Sequence, residues 1–149
     1  MAEVWFYHLE TTPLEASLIE LLEKAGSKGW RAYVHCADGG LRQRLDEQMW
    51  AYRPESFLAH GDETADFAED QPILLGASGA AANGAQMFVS VSPMDLPDLS
   101  RFERSLIIFE GEDETHLTWA RAQWKRLKED TIPLSYWKQS PQGRWEKMN

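Results

Sequence analysis

The residues best suited to binding a charged partner lie near the C-terminus, in residues 120–128. This stretch holds a tryptophan and four of the chain's 15 Lys and Arg residues, although the net charge of the whole chain is −9. On a helix, successive side chains are rotated by about 100°. Three of the cations therefore fall on one stripe, and these are Arg121, Lys125 and Lys128. A basic stripe of this kind predicts contact with an anionic group.

An apolar notch borders the basic stripe. Leu117 and Trp124 lie between the cations and a second helical face, which consists of His116, Ala120, Gln123 and Leu127. A notch beside three cations suits a ligand that combines apolar groups with negative charge. An acidic peptide ending in a free carboxylate and a single-stranded nucleic acid both fit that description. The structural alternative is a helix with one buried face and one solvated basic face, which charge runs on helices typically indicate.

The start of this helix is indicated by the acidic run in residues 110–114. Asp113 or Thr115 is a suitable N-cap, and acidic residues are favoured at the positive end of the helix dipole. The basic residues then occupy the later turns. Charge along the chain follows the same trend, since residues 1–100 hold 6 Lys/Arg against 16 Asp/Glu and residues 101–149 hold 9 against 8. An anionic partner is therefore expected to meet the C-terminal third.

Alternating strands and helices must position this segment. Short apolar runs predict strands at residues 4–9, 30–36, 71–75, 87–91 and 106–109. Helical spacing predicts a helix after Pro13, ended by Gly26 and Gly29, and another after Gly40 that carries Leu45 and Met49. Short connections between strand and helix imply parallel strands with right-handed crossovers. We therefore predict one domain over residues 1–149 with a three-layer α/β/α, Rossmann-like, mostly parallel sheet. Residues 61–70, with five acidic residues in ten, are expected to form an exposed loop.

Composition limits the compartment and the class of protein. One cysteine, Cys36, excludes an internal disulfide and fits a reducing compartment. The first ten residues contain two acids and no base, and no apolar run reaches the length of about 18–20 residues that a membrane span needs. We therefore expect a cytoplasmic protein. Seven tryptophans are many for 149 residues. Trp5 and Trp30 are expected in the core. Some of the later five must be partly exposed, and exposed tryptophans often anchor protein interfaces.

Catalytic signatures are absent from the sequence. The first strand is not followed by GxGxxG, and neither GxxxxGK[ST] nor GxSxG occurs. Two glycines follow Asp38 at a strand-to-helix turn that could hold an anion, although turn geometry alone explains them. The four histidines show no metal-ligand spacing, and Cys36 is predicted to be a core residue. The sequence thus predicts no catalytic site, cofactor site or metal site.

Seven short segments are informative through their order and spacing, and they cover essentially the whole chain. In chain order they are Phe6-Tyr7-His8-Leu9, Leu45-Asp46-Glu47-Gln48-Met49-Trp50, Ser56-Phe57-Leu58-Ala59-His60-Gly61, Gln71-Pro72-Ile73, Phe109-Glu110-Gly111, Ala120-Arg121-Ala122-Gln123-Trp124-Lys125, and Tyr136-Trp137-Lys138-Gln139 before Gly143-Arg144-Trp145-Glu146-Lys147. Together they resemble the corresponding segments of one family, the chi subunits of bacterial DNA polymerase III.

The resemblance implies a mononucleotide-binding type of fold that lacks a nucleotide site. It also implies two partners, the psi subunit of the clamp loader and the acidic C-terminal tail of single-stranded DNA-binding protein. By motif, Arg121 matches the arginine that engages the tail and Trp124 the aromatic wall of its pocket, with Lys125 and Lys128 as flanking cations. The notch inferred from helical geometry is the same place.

Two further aromatic residues match family positions linked to partner binding. Trp50 is assigned to the tail and Phe57 to psi, although both could equally cap the core. The chain also departs from the family pattern at two positions. Ala59 replaces a common proline, and Leu117, at the apolar edge of the notch, stands where a lysine can act as an extra cation.

The leading hypothesis is a non-catalytic accessory subunit in DNA replication, monomeric by itself. It would tether the clamp loader, through psi, to single-stranded DNA-binding protein. Direct binding of single-stranded DNA is the first alternative, and the net charge of −9 opposes it. A nucleotide hydrolase with a helicase-like fold is the second, and it lacks a phosphate-binding loop.

Overall fold

The computed structural model describes residues 2–51 and 59–148. Within them, eight strands form one sheet. The strands are β1 (Glu3–Leu9), β2 (Ala32–His35), β3 (His60–Asp62), β4 (Ile73–Gly76), β5 (Met87–Ser90), β6 (Arg104–Glu110), β7 (Leu134–Gln139) and β8 (Trp145–Lys147). The helices are α1 (Leu14–Ser27), α2 (Gly39–Ala51) and α3 (Glu114–Glu129), with 3₁₀ turns at Ala68–Asp70 and Leu99–Arg101. None of these helices combines the length and apolar composition needed to cross a bilayer.

The strand order is β3-β4-β2-β5-β6-β1-β7-β8. Every neighbouring pair is parallel except β7 and β8, which are antiparallel. The mostly parallel α/β sheet predicted from the sequence is confirmed. β1 lies between β6 and β7, so its side chains meet neighbours from both strands on each face of the sheet.

Helices cover both faces of the sheet. α1 and α2 pack on one face through an apolar cluster that includes Leu18, Leu45 and Val34. α3 packs on the other face through a second cluster that includes Phe6 and Phe88. The period of two along a strand explains this division, since adjacent side chains point to opposite faces. The three layers agree with the predicted architecture.

The C-terminal end of β7 is tied to the loop after β1 by one buried amide. Gln139 Oε1 accepts hydrogen bonds from the backbone N–H groups of Glu10, Thr11 and Thr12, at 3.3, 3.0 and 3.0 Å. These three N–H groups precede α1 and belong to no strand, so the Gln139 side chain supplies their acceptor. The contact fixes β7 beside β1, and both strands contribute to the site described below.

Several predicted boundaries were wrong in detail. The segment expected to be an exposed loop, residues 61–70, begins within β3, a three-residue edge strand whose polar sequence carries no apolar signal. Residues 134–139 and 145–147 form an antiparallel pair that the sequence did not predict as strands. Gly26 lies inside α1, which continues to Ser27, whereas Gly29 has the positive φ of 76° expected after a helix end.

Candidate functional site

α3 begins where the acidic run predicted it would. Asp113 is the N-cap, and its Oδ1 accepts a hydrogen bond from the backbone N–H of His116 at 3.1 Å. Glu114 occupies the first turn, and Arg126 and Lys128 occupy the last turn. Both ends therefore complement the helix dipole, which stabilises the helix against fraying.

The helical stripes predicted from spacing are present on α3. His116, Ala120 and Leu127 are buried against the sheet. The side chains of Leu117 and Trp124 are partly buried at the boundary. The three predicted cations, Arg121, Lys125 and Lys128, are exposed. The structure thus places the basic stripe beside the apolar boundary, as helical geometry required.

A cavity of about 160 Å³ opens beside this boundary, and we call it the α3 pocket. Its lining residues are Phe6, Phe109, Ala120, Arg121, Trp124 and Tyr136. The ring of Trp124 meets Phe6 and Tyr136 edge to face, with centroids 5.2 and 5.6 Å apart. These contacts fix the indole in one orientation, because edge-to-face pairs are directional. The Trp124 indole thus forms a fixed wall of the cavity, and the Arg121 guanidinium lies at its edge.

Three aromatic walls of the α3 pocket were not predicted from the sequence. Phe6 and Tyr136 are register partners in β1 and β7, and Phe109 lies in β6 opposite His8. Strand periodicity could have placed Phe6 and His8 on one face, but it does not show which helix covers that face. Tyr136 could not be assigned because β7 itself was not predicted.

Charge in the α3 pocket is predominantly positive. Among the described residues, no salt bridge involves Arg121, Lys125 or Lys128. Behind the pocket, His8 Nδ1 and the Tyr136 hydroxyl are 2.7 Å apart. Burial, together with nearby Lys138 and Arg121, lowers the pKa of His8, and burial raises the pKa of Tyr136. Both side chains are therefore neutral near pH 7, and an anion entering the pocket would meet the Arg121 cation.

Trp50 does not lie at the α3 pocket. Trp50 lies near the end of α2, on the opposite face of the sheet, and its side chain is 56% exposed. Its ring centroid is 4.7 Å from that of His60 in the edge strand β3. Phe57 lies outside the described residues. Trp50 thus lies apart from Arg121, and its assignment to the tail stays a prediction.

The other candidate sites in the sequence have structural explanations. The Asp38 carboxylate accepts a hydrogen bond from the backbone N–H of Gly40 at 2.8 Å, so the chain itself occupies this donor of the turn. Cys36 is fully buried in the cluster beneath α1 and α2, as predicted for a core residue, and burial raises the pKa of its thiol. Across residues 2–51 and 59–148, no group of three or more His, Cys, Asp or Glu side chains is arranged to hold a metal ion.

The sequence matches a known family over most of its length. The family described as DNA polymerase III chi subunit, HolC, matches residues 1–135. DNA polymerase III subunit chi of Pseudomonas aeruginosa is 28% identical over 140 residues, which are 90% of this chain and 94% of that protein. The probable DNA polymerase III subunit chi of Rickettsia prowazekii is 21% identical over 109 residues, 73% of this chain and 66% of that protein. With the mostly parallel sheet and the basic α3, this match establishes that the chain belongs to the DNA polymerase III chi subunit family.

Proposed function

We propose that this chain is a non-catalytic accessory subunit that tethers the clamp loader to single-stranded DNA-binding protein during DNA replication. The acidic C-terminal tail of that protein binds in the α3 pocket. The observation that carries the proposal is the guanidinium of Arg121, which forms no salt bridge within residues 2–51 and 59–148, beside an aromatic cavity on α3. Family membership supports the replication context, and the pocket supports the ligand chemistry.

The α3 pocket offers complementary groups for both ends of such a ligand. Arg121 can bind a terminal carboxylate with two parallel N–H···O hydrogen bonds, a geometry that lysine does not provide. The last apolar side chain of the tail enters the cavity and packs against Trp124 and Phe109. Leu117 extends the apolar boundary along the helix, but it does not line the cavity.

Lys125 and Lys128 act mainly on association. Both are exposed on the helix, where charges raise the association rate and its salt dependence more than the affinity. The protein that coats single-stranded DNA presents several tails, so modest individual contacts are reinforced by avidity. A weak single site is therefore sufficient for a tether.

The connection to the clamp loader runs through psi. We assign this role to the region around Phe57, on the basis of family resemblance. Trp50 is exposed on the face opposite α3, so any contact it makes with the tail or with another partner is separate from the α3 pocket.

The test is a titration of the full chain with an acidic peptide of about nine residues that ends in an apolar residue and a free carboxylate. Binding is followed by tryptophan fluorescence at low and high salt. Arg121→Ala should weaken binding by about tenfold or more, because it removes a charge-assisted bidentate contact. Arg126→Ala is the matched control, since Arg126 lies on the same helix but pairs with Gln123 and does not line the cavity.

Unchanged affinity in Arg121→Ala would contradict the proposed site. A peptide with an amidated C-terminus should lose binding as well, because it lacks the carboxylate. Tight binding of a bare oligodeoxythymidylate at physiological salt, lost in the same variant, would instead assign this stripe to single-stranded DNA.

A further inference from the structure

A second, larger cavity lies on the opposite face of the sheet, between α1 and the starts of β1, β5 and β6. It measures about 230 Å³, and we call it the α1 pocket. Two indoles, Trp5 and Trp30, line it together with three cations, Lys24, Lys28 and Arg104. Both tryptophans pack against the core but are only partly buried, so the prediction that they are core residues was wrong in part.

Arg104 is held in place by its neighbours. Its guanidinium carbon lies 4.0 Å from the ring centroid of Trp5 and 5.3 Å from that of Trp30. Its Nε donates to Glu3 Oε1 at 2.9 Å, and the side chain is only 21% exposed. Within the described residues, neither Nη group of Arg104 has a hydrogen-bond partner. The guanidinium is therefore preorganised, with donors left for an anionic group.

Two exposed lysines add positive charge to the α1 pocket. Lys24 lies in the last turn of α1, and Lys28 Nζ lies 4.9 Å from the ring centroid of Trp30. Neither forms a salt bridge among the described residues. Interaction with the helix dipole accounts for lysines at this end of α1, but not for Arg104 stacked on two partly exposed indoles. The combination is that of an interface, where Trp and Arg are the typical anchors.

We propose that the α1 pocket binds an internal segment of a partner protein in which a large apolar side chain is flanked by carboxylates. The apolar side chain enters the cavity beside Arg104 and packs on its aliphatic lining, which includes Leu21, Ala25 and Leu106. The carboxylates pair with the Nη groups of Arg104 and with Lys24 and Lys28. This surface is additional to the α3 pocket and does not depend on the function proposed for it.

Charge and geometry favour a short acidic segment over a nucleic acid. Residues 1–100 hold 16 Asp and Glu, which oppose the continuous negative charge of a phosphate backbone but not one or two local carboxylates. The indole faces are also already occupied, because Arg104 lies over both rings and Lys28 lies over Trp30. Base stacking, on which single-stranded binding relies, would have to displace these cations.

The two pockets can be occupied together. Trp5 and Tyr7 line the α1 pocket, and Phe6 between them lines the α3 pocket on the other side of the sheet. A ligand in one pocket therefore does not contact a ligand in the other.

The test uses the ¹⁵N-labelled full chain and a peptide of about nine residues, with one Phe between aspartates and with both termini blocked. The blocked C-terminus removes the carboxylate that the α3 pocket is proposed to bind. We expect saturable shifts of the Trp5 and Trp30 indole N–H signals without a matching shift of Trp124. Lys24→Gln combined with Lys28→Gln should weaken binding about fivefold or more, since two cations at the pocket are removed.

The matched control is Lys125→Gln with Lys128→Gln, which removes the same charge from α3 and should leave this affinity unchanged. All four lysines are exposed, so neither double variant threatens folding. Absence of saturable binding, equal weakening in both double variants, or shifts confined to Trp124 would overturn the proposal. Displacement of the peptide by oligodeoxythymidylate with shifts of the same indoles would assign the surface to single-stranded DNA instead.

Discussion

The α3 pocket and the α1 pocket lie on opposite faces of β1, and both combine an aromatic wall with an arginine. They differ in how the arginine is held. Arg104 stacks on two indoles and pairs with Glu3, whereas Arg121 forms no salt bridge within the described part of the chain. Arg104 is therefore already ordered by folding, whereas Arg121 would be ordered only by the ligand proposed for it.

The Arg121 side chain can therefore adapt to its ligand, whereas the Arg104 side chain is preorganised. Ordering a long charged side chain on binding lowers affinity, but it also lets the side chain follow a mobile ligand. An arginine that is still free to move suits the end of a flexible tail, whose position is not fixed. A stacked arginine suits a segment whose geometry is already defined by its own protein. The predictions below test whether the two pockets are as independent as this comparison implies.

The largest effect is expected from Phe6→Ala, which tests the strand that the two pockets share. Phe6 is fully buried, and its ring packs against Trp124. Truncating a buried phenylalanine costs about 3–5 kcal/mol in the free energy of unfolding, through lost burial and the cavity left behind. Urea denaturation measures this loss. Phe67→Ala is the control, because that ring is 70% exposed and its loss should change stability by about 0.5 kcal/mol or less.

A smaller effect is expected when one aromatic wall is removed at a time. Trp124→Leu should lower the affinity for the peptide with a free carboxyl terminus by about tenfold or more and leave the affinity for the internal acidic peptide unchanged. Trp5→Leu should have the opposite effect on the two affinities. The crossed titrations are done by isothermal calorimetry with both peptides. If either variant weakens both peptides equally, the two pockets act as one coupled site and the comparison fails.

The smallest effect is a pH dependence of stability. Burial lowers the pKa of His8, His35 and His116 in the folded chain. The unfolded chain therefore binds more protons just below the ordinary histidine pKa of about 6.5, so the free energy of unfolding falls as the pH is lowered through that value. The pKa values of Asp62 and Glu63 are lowered too, but these carboxyl groups change the free energy of unfolding only below about pH 4.5.

His116→Leu isolates one contribution to this pH dependence. The Nε2 atom of His116 is buried without a hydrogen-bond partner among the described residues, so an apolar replacement removes an unsatisfied group. Stability measured by urea denaturation at pH 7.5 and pH 5.5 should depend less on pH in this variant. A pH dependence as steep as in the parent chain would mean that protonation of His116 does not destabilise the folded state.

Local signals in the sequence were sufficient for the helix that carries the proposed site. Asp113 as a cap and the spacing of Arg121, Lys125 and Trp124 are properties of a single segment, and each has the predicted position. The mostly parallel sheet also followed from alternating strands and helices, because few topologies satisfy short right-handed connections.

Features that depend on distant contacts could not be predicted in the same way. The cavity beside Trp124 exists because Phe6 and Tyr136, 130 positions apart, are register partners in β1 and β7. Trp50 was grouped with Arg121 through a family resemblance, and only the fold shows that α2 and α3 cover opposite faces. The edge strand β3 is too short and polar to have a periodic signal.

β1 contributes to the linings of the two proposed binding surfaces from alternate positions of one seven-residue segment. Point substitutions at Trp5 or Tyr7 can change one surface while Phe6 preserves the other, so each interaction can evolve separately. Insertion or deletion of one residue in this strand would exchange the two sets of side chains between the faces of the sheet. A change in the length of β1 would therefore alter both linings at once.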